Sequence, residues 1–303
     1  MRTVAELVKE ASRLGMAIPA FNIPYLPMME PVAQVLRDTR CFGFIAVARL
    51  EWTKFQARGL DAVRAEYERV KDERFTRLHL DHVPVIDEDR QPVNYKEIIS
   101  RALALGYDSV MIDGSRLSLE ENIRVTREVV EMAHRQGAPV EAELGSIFGH
   151  ETDDPPPYEE MFRKRLGFTD PQEARFFVER TGVDWLSVAV GSIHGAIAAG
   201  RKERRKEAAR LDIEHLARIK VAVDIPLVLH GGTGISSDCL RQAIEHGIVK
   251  VNVATVIRQA YEAHQDSGPD VAQQAAYRAA MNIIQNELRC AGSSTALGLL
   301  REE

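Results

Sequence analysis

The stretch PLVLHGGTGISSDCLRQAIEHGIVKVNVAT, residues 226–255, decides the fold. It opens on a short apolar run (226–230), turns through glycines, passes a helical pattern over 236–246 and ends on a second apolar run, IVKVNVA (248–254). Both runs are nearly continuous in apolar residues, as strands covered on both faces are. The same alternation recurs upstream. MAIPAFN (16–22), FGFIAVA (42–48), TRLHLD (76–81), DSVMID (108–113), PVEAEL (139–144) and DWLSVAV (184–190) read as further strands. Helical patterns fall at 3–14, 27–38, 95–105, 118–136, 171–181 and 212–222, the first stopping at Gly15. Eight β-α units in roughly 250 residues predict an α/β fold, a closed (β/α)8 TIM barrel. An open, doubly wound sheet is the alternative, since periodicity does not establish closure. Beyond about residue 269 the pattern predicts extra C-terminal helices packed outside the barrel.

Composition narrows the function classes. Lys plus Arg is 39 and Asp plus Glu is 45, a formal charge of −6, which argues against a nucleic-acid partner. No apolar run approaches the ~20 residues of a membrane helix. The start, MRTVAELVKEASRLG, is amphipathic and contains acids, unlike a leader segment. Cys41, Cys239 and Cys290 are odd in number and widely spaced, which suits a cytoplasmic protein and excludes a disulfide framework. No linker divides the chain, so residues 1–303 read as one domain. Three segments interrupt its rhythm: 83–94, 146–170 and 192–211. They are expected as inserted loops at the C-terminal mouth, where active-site loops of barrels lie. The charge run RKERRKE (201–207) within the last reads as a solvated helical face.

Placement singles out three histidines. His82, His194 and His230 lie at or just beyond the ends of the third, sixth and seventh predicted strands. In a barrel those ends ring one mouth, and three neutral imidazoles with an open fourth position make a catalytic zinc site. No local zinc motif supports this, so it depends on the fold, and three unrelated histidines remain the alternative. Asp81 directly precedes His82; neighbours on a strand point to opposite sides, yet at a strand end both can reach the mouth. Glu143 ends the fifth strand, either at the site or as a buried, paired acid. Glu151 follows in the loop, where a solvated acid is the plainer reading. GSIHG (191–195) and HGGTG (230–234) place glycines after strands, and HGGTG leads into a helix. Such turns offer N–H groups and a helix N-terminus to a phosphate, although glycines also simply make turns. Asn252 and Thr255 stand beside them at the end of the eighth strand.

Taken in order, PAFNI (19–23), LHLDH (78–82), SVMIDGSRLSLEENI (109–123), VEAELGSIFGHE (140–151), TDPQEARFFVERTGVD (169–184), VAVGSIHG (188–195), IPLVLHGGTGI (225–235) and GIVKVNVAT (247–255) form a recognisable set. The chain resembles the class II, zinc-dependent fructose-bisphosphate and tagatose-bisphosphate aldolase family over most of residues 1–260. The resemblance implies a lyase of carbohydrate metabolism that cleaves a ketose 1-phosphate or 1,6-bisphosphate to dihydroxyacetone phosphate and an aldehyde. It implies one zinc ion per chain on His82, His194 and His230, with Glu143 as an added ligand. Asp81 matches the catalytic proton donor, and Glu151 the mobile-loop glutamate that moves the proton at the donor carbon. Asn22, Gly195, Gly231, Gly232, Thr233, Asn252, Val253, Ala254 and Thr255 match positions that hold the substrate and its phosphate. A monovalent cation near the phosphate turns and a homo-oligomer, dimer or tetramer, are further expectations. A zinc hydrolase or isomerase on the same barrel, or a non-catalytic sugar-phosphate binder, are the alternatives. The chain departs from the family's pattern at Pro24 and Tyr25 after AFN. In VARLE, Arg49 stands about where a serine ends a Gln-x-Ser string, and Phe148 and Thr152 are changed in the glutamate loop. Ala254, in NVAT, resembles the tagatose-bisphosphate branch.

Overall fold

The computed structural model describes residues 2–145, 157–193 and 209–301, and in it eight parallel strands close into a barrel in chain order. They are β1 Ile18–Asn22, β2 Gly43–Ala48, β3 Thr76–Pro84, β4 Ser109–Asp113, β5 Val140–Leu144, β6 Trp185–Val188, β7 Leu227–Leu229 and β8 Ile248–Val253. Ala20 of β1 is in register with Phe44 of β2 on one side and Asn252 of β8 on the other. That pairing closes the sheet and excludes the open alternative. The helices are α1 Val4–Leu14, α2 Met29–Asp38, α3 Arg49–Thr53, α4 Leu60–Val70, α5 Tyr95–Ala104, α6 Leu119–His134 and α7 Tyr158–Lys164. They continue with α8 Pro171–Thr181, α9 Ile213–Ala222, α10 Ser237–Glu245, α11 Thr255–Glu262, α12 Pro269–Asn282 and α13 Ser293–Ala296. The last two, joined by a turn of π-helix over Ile283–Glu287, are the extra C-terminal helices.

Alternation along the strands builds two separate cores. Outward residues such as Phe21, Ile45, Val47, Leu78, Val110, Val140, Leu186, Leu229 and Val251 pack against the surrounding helices. Inward residues Ile18, Ala20, Phe44, Ala46, Trp185 and Val228, with Phe42 and Val249, form a second cluster with Val4, Leu7, Val8 and Ala11 of α1. Helix α1 therefore plugs the N-terminal end of the barrel. It starts at a reciprocal cap, with the Glu6 N–H donating to Thr3 Oγ1 and the Thr3 N–H donating to Glu6 Oε2 at 2.8 Å. It stops at Gly15, whose φ of 63° is the left-handed turn glycine adopts without strain. Phe44 is fully buried in this floor. Phe44→Ala should cost about 3–5 kcal/mol of stability, read from urea unfolding midpoints, because the barrel wall cannot collapse onto the void. A loss below about 1 kcal/mol would show the floor to be loosely packed.

The details depart from the sequence expectations in three places. Strand β3 continues through His82 to Pro84, so the first mouth loop starts after residue 84. Helix α7 lies inside the segment 146–170 expected as a loop. The space between β2 and β3 is filled by α3 and α4, outside the helical patterns given above; α4 buries Val63, Tyr67 and Val70 at helical spacing. The extension of β3 matters most for the site. Leu80 pairs with Val110 and Val83 with Ile112, so Asp81 and His82 together oppose Met111 alone. This is a bulge, which kinks a strand and re-aims its side chains.

Candidate active site

Above the apolar floor the barrel interior turns polar. The parity of β5 and β8 puts Glu141 and Lys250 in one layer, with Glu143 and Asn252 in the next. Asn22, Asp81, His82, Glu143, His230, Gly231, Thr233, Asn252, Ala254 and Thr255 line one cavity at the mouth. Gly232 and Val253 line a smaller neighbouring cavity instead, which Thr233 and Asn252 share. His194, Gly195 and Glu151 lie outside the described residues.

The bulge lets adjacent residues serve one site. Asp81 receives the Asn22 amide at 2.8 Å on one oxygen and the Asn252 amide at 3.0 and 3.1 Å on both. Burial alone would raise its carboxyl, but the charges of His82 and Lys250 hold it well below the usual carboxylate range. His82 Nε2 faces His230 Nδ1 at 2.6 Å, the rings edge-on. The far nitrogen of each ring meets a carboxylate: His82 Nδ1 lies 3.3 Å from Asp113, and His230 Nε2 lies 2.7 Å from Glu141. Burial and the His82 charge push His230 down to about 4, so this ring is neutral. It donates Nε2–H to Glu141 and leaves a lone pair on Nδ1. Burial works against a charge on His82, yet Asp81, Asp113 and Glu143 raise it to about 10.

These side chains could hold a cation. Asp81, His82 and His230 form one group of candidate ligands, and His82, Asp113 and Glu143 form a second on the far nitrogen of His82, with Glu143 Oε2 4.0 Å from Nδ1. Carboxylates behind the rings fix their orientation and raise their basicity, as they do around ligating histidines. Nitrogen donors with a carboxylate suit zinc. The residues present fit a metal ion.

Several contributors were absent from the sequence reading. Asp113 ends DSVMID just as Asp81 ends TRLHLD, and Glu141 precedes Glu143 by the strand period, which are the signals that could have found them. Glu51 is also buried against the cavity, its Oε2 accepting the Ala48 N–H at 2.8 Å, and burial pushes its carboxyl well above the usual range. In sequence nothing marks it, because the turn of α3 brings it back to the mouth. Gly114 accounts for part of the SVMIDGSRLSLEENI motif: a Cβ there would collide with the Asn122 side chain. Bare backbone at this point lets Asn122 donate to the Glu143 carbonyl at 3.0 Å. Gly231 takes a φ of 67°, which turns the chain directly after His230.

Three of the departures, Pro24, Arg49 and Ala254, line the cavity. Arg49 lines it and pairs with the buried Asp87 at 3.3 Å. Pro84 at the end of β3 and Ile86 and Glu88 of the first inserted loop line it as well, and a bridge between Ile86 and Pro92 closes that loop. Pro24 faces the cavity, while Tyr25 stacks on Tyr261 and donates to Glu262 at 2.8 Å.

Comparison with known proteins decides the family. The profile described as fructose-bisphosphate aldolase class-II matches residues 2–295. The chain belongs to that family. Among solved structures, this class II aldolase is similar to the YdjI aldolase from Escherichia coli K12, at 26% identity and a TM-score of 0.74, over 97% of this chain and 99% of that one. It is similar to a putative fructose-1,6-biphosphate aldolase from Coccidioides immitis at 27% identity and a TM-score of 0.75, over 96% and 98%. A fructose-bisphosphate aldolase from Campylobacter jejuni shares the fold at 18% identity and a TM-score of 0.70, over 95% and 94%. Among the described residues, no helix of this aldolase is long and apolar enough to cross a membrane.

Proposed function

We propose that this class II aldolase uses zinc to cleave, reversibly, a ketose 1-phosphate or 1,6-bisphosphate to dihydroxyacetone phosphate and an aldehyde. One observation carries the reading: Asp81 converges with two carboxylate-backed imidazoles beside the HGGTG and NVAT turns. One zinc ion per chain would be held by His82, His230 and His194, with Glu143 as an added ligand. Bound there, it would polarise the ketose carbonyl and stabilise the enediolate charge left by carbon–carbon cleavage. Asp81, pinned as a carboxylate by Asn22 and Asn252, takes the proton of the C4 hydroxyl. Glu151 delivers a proton to the donor carbon, and both roles reverse in condensation. Backbone N–H groups from Gly231 to Thr233, with Gly195 and the start of α11 at Thr255, hold the donor phosphate. That grip keeps the reacting carbon in register with Asp81. A monovalent cation beside these turns, a dimeric or tetrameric assembly, a cytoplasmic location and a single domain over 1–303 belong to the same proposal.

A coupled assay for dihydroxyacetone phosphate release, run over a panel of ketose 1-phosphates and 1,6-bisphosphates, tests it. At least one sugar should release the triose, and no release from any of them by zinc-loaded enzyme sinks the reading. Fructose 1,6-bisphosphate should rank low in the panel, because the Arg49–Asp87 pair and the inserted loop reshape the end where the aldehyde leaves. Arg49→Ser should move that ranking by about 10-fold or more, since a hydrogen bond to a charged group contributes about 1.5–3 kcal/mol. If fructose 1,6-bisphosphate is cleaved at ~10⁴ M⁻¹s⁻¹ or faster and Arg49→Ser changes nothing, these departures do not set specificity.

A further inference from the structure

Lys250 and Asn252 stand two residues apart on β8, so both project into the barrel, the lysine one layer deeper. The Lys250 side chain is 1% exposed. Its ammonium donates to Asn252 Oδ1 at 2.7 Å and to Glu141 Oε2 at 2.9 Å, with Asp81 Oδ1 3.8 Å away. An ammonium has donors only. Asn252 must therefore turn its carbonyl oxygen down to Lys250, which turns its NH2 group up against both oxygens of Asp81. The other contacts of Glu141 keep the ammonium in place: Trp185 Nε1 donates to Oε2 at 2.7 Å, and His230 Nε2 meets Oε1 at 2.7 Å.

We propose that Lys250 is a positioning residue that sets the orientation of the Asn252 amide and, through it, the aim of the Asp81 carboxylate. This rests on the reading of Asp81 as the group that takes the C4-hydroxyl proton. With the amide reversed, a carbonyl oxygen would face the carboxylate, acceptor against acceptor. Asn22 would then hold Asp81 by a single oxygen. A proton acceptor displaced by about 1 Å can lose on the order of 10²-fold in rate.

The test combines Lys250→Met, which keeps an unbranched apolar stem and removes the donors, with Lys250→Gln, which keeps an N–H. Each is measured on metal-loaded enzyme for cleavage and, by NMR in D2O, for exchange of the donor C–H proton of dihydroxyacetone phosphate. Lys250→Met should lower kcat for cleavage by at least about 10-fold while exchange changes by less than about 3-fold, because exchange does not use Asp81. Lys250→Gln should fall between Lys250→Met and the parent. Placed on Asn252→Ala, Lys250→Met should cost less than about 2-fold more, since the amide it acts through is already gone. Equal losses of cleavage and exchange, or losses that multiply in the double variant, overturn the inference. If Lys250→Met does not yield folded protein, Lys250→Gln in the same cycle decides by the same two criteria. Cleavage at the parent rate by Asp81→Ala is a separate result, which removes the proton-transfer reading itself.

Discussion

Treated with a strong chelator, the purified enzyme should lose on the order of 10³-fold or more in cleavage rate, and added zinc or cobalt should restore it. The magnitude follows from the several kcal/mol that a Lewis acid contributes at a developing oxyanion, at about 1.4 kcal/mol per factor of ten. The geometry gives the expectation its physical basis. His82 Nε2 and His230 Nδ1 converge at 2.6 Å, and each ring is backed by a carboxylate. Without a metal the acids around His82 draw a proton onto that ring. A cation would take the place of that proton. His230→Ala should therefore cost metal content as well as rate, both measurable on the same preparation. The competing strategy is a lysine Schiff base, which borohydride would trap with substrate in metal-free, fully active enzyme. Lys250 is poorly placed for it, since its ammonium is buried between Asn252 and Glu141.

The strands were readable because they are covered on both faces, and a short, near-continuous apolar run such as FGFIAVA, rich in aromatic and β-branched residues, suits a buried strand better than a helix. The meeting of His82 and His230 followed from them, since a barrel brings strand ends together whatever their separation in sequence. What period-two alternation does not contain is register between strands. The pairing of His230 with Glu141, and of His82 with Asp113, depends on how β7, β5, β4 and β3 are offset, which strand-end position and strand period do not give. The bulge at Asp81 and His82 is of the same kind. LHLDH shows two polar residues in succession, which a regular strand would send to opposite faces. Only the pairing of Leu80 and Val83 with β4 shows how both reach the mouth. Glu51 was invisible for another reason: a single turn of helix after β2 folds it back over the cavity. The family resemblance supplied roles for Asp81 and the histidines, yet it carried no information on the contacts that orient them.

Asp81→Ala and Glu151→Ala should separate the two proton transfers. With Asp81→Ala, carbon–carbon cleavage should fall on the order of 10²-fold or more, the usual scale for a positioned acid or base. Exchange of the donor C–H proton with solvent should persist, because the HGGTG and NVAT turns and the histidines are untouched. With Glu151→Ala the exchange itself should fail by a comparable factor, about 10² or more. Asp81 is suited to its part by being both ionised and held: two amides donate to it, and neighbouring positive charges outweigh its burial. A carboxylate so stabilised is a weak base, so its contribution must come from placement against the hydroxyl rather than from basicity. Asp81→Asn tests that point, since it keeps the shape and removes the charge. Cleavage by Asp81→Asn should be as low as by Asp81→Ala, with KM for the ketose changed by less than about 3-fold, because a group acting only in the transition state leaves ground-state binding alone. If exchange proceeds normally in the Glu151 variant, the proton carrier is another acid of the same loop, and Asp153 and Asp154 are the next to substitute. If Asp81→Asn instead retains most of the cleavage rate, the carboxylate serves only to align its neighbours, and the proton leaves the C4 hydroxyl by another route.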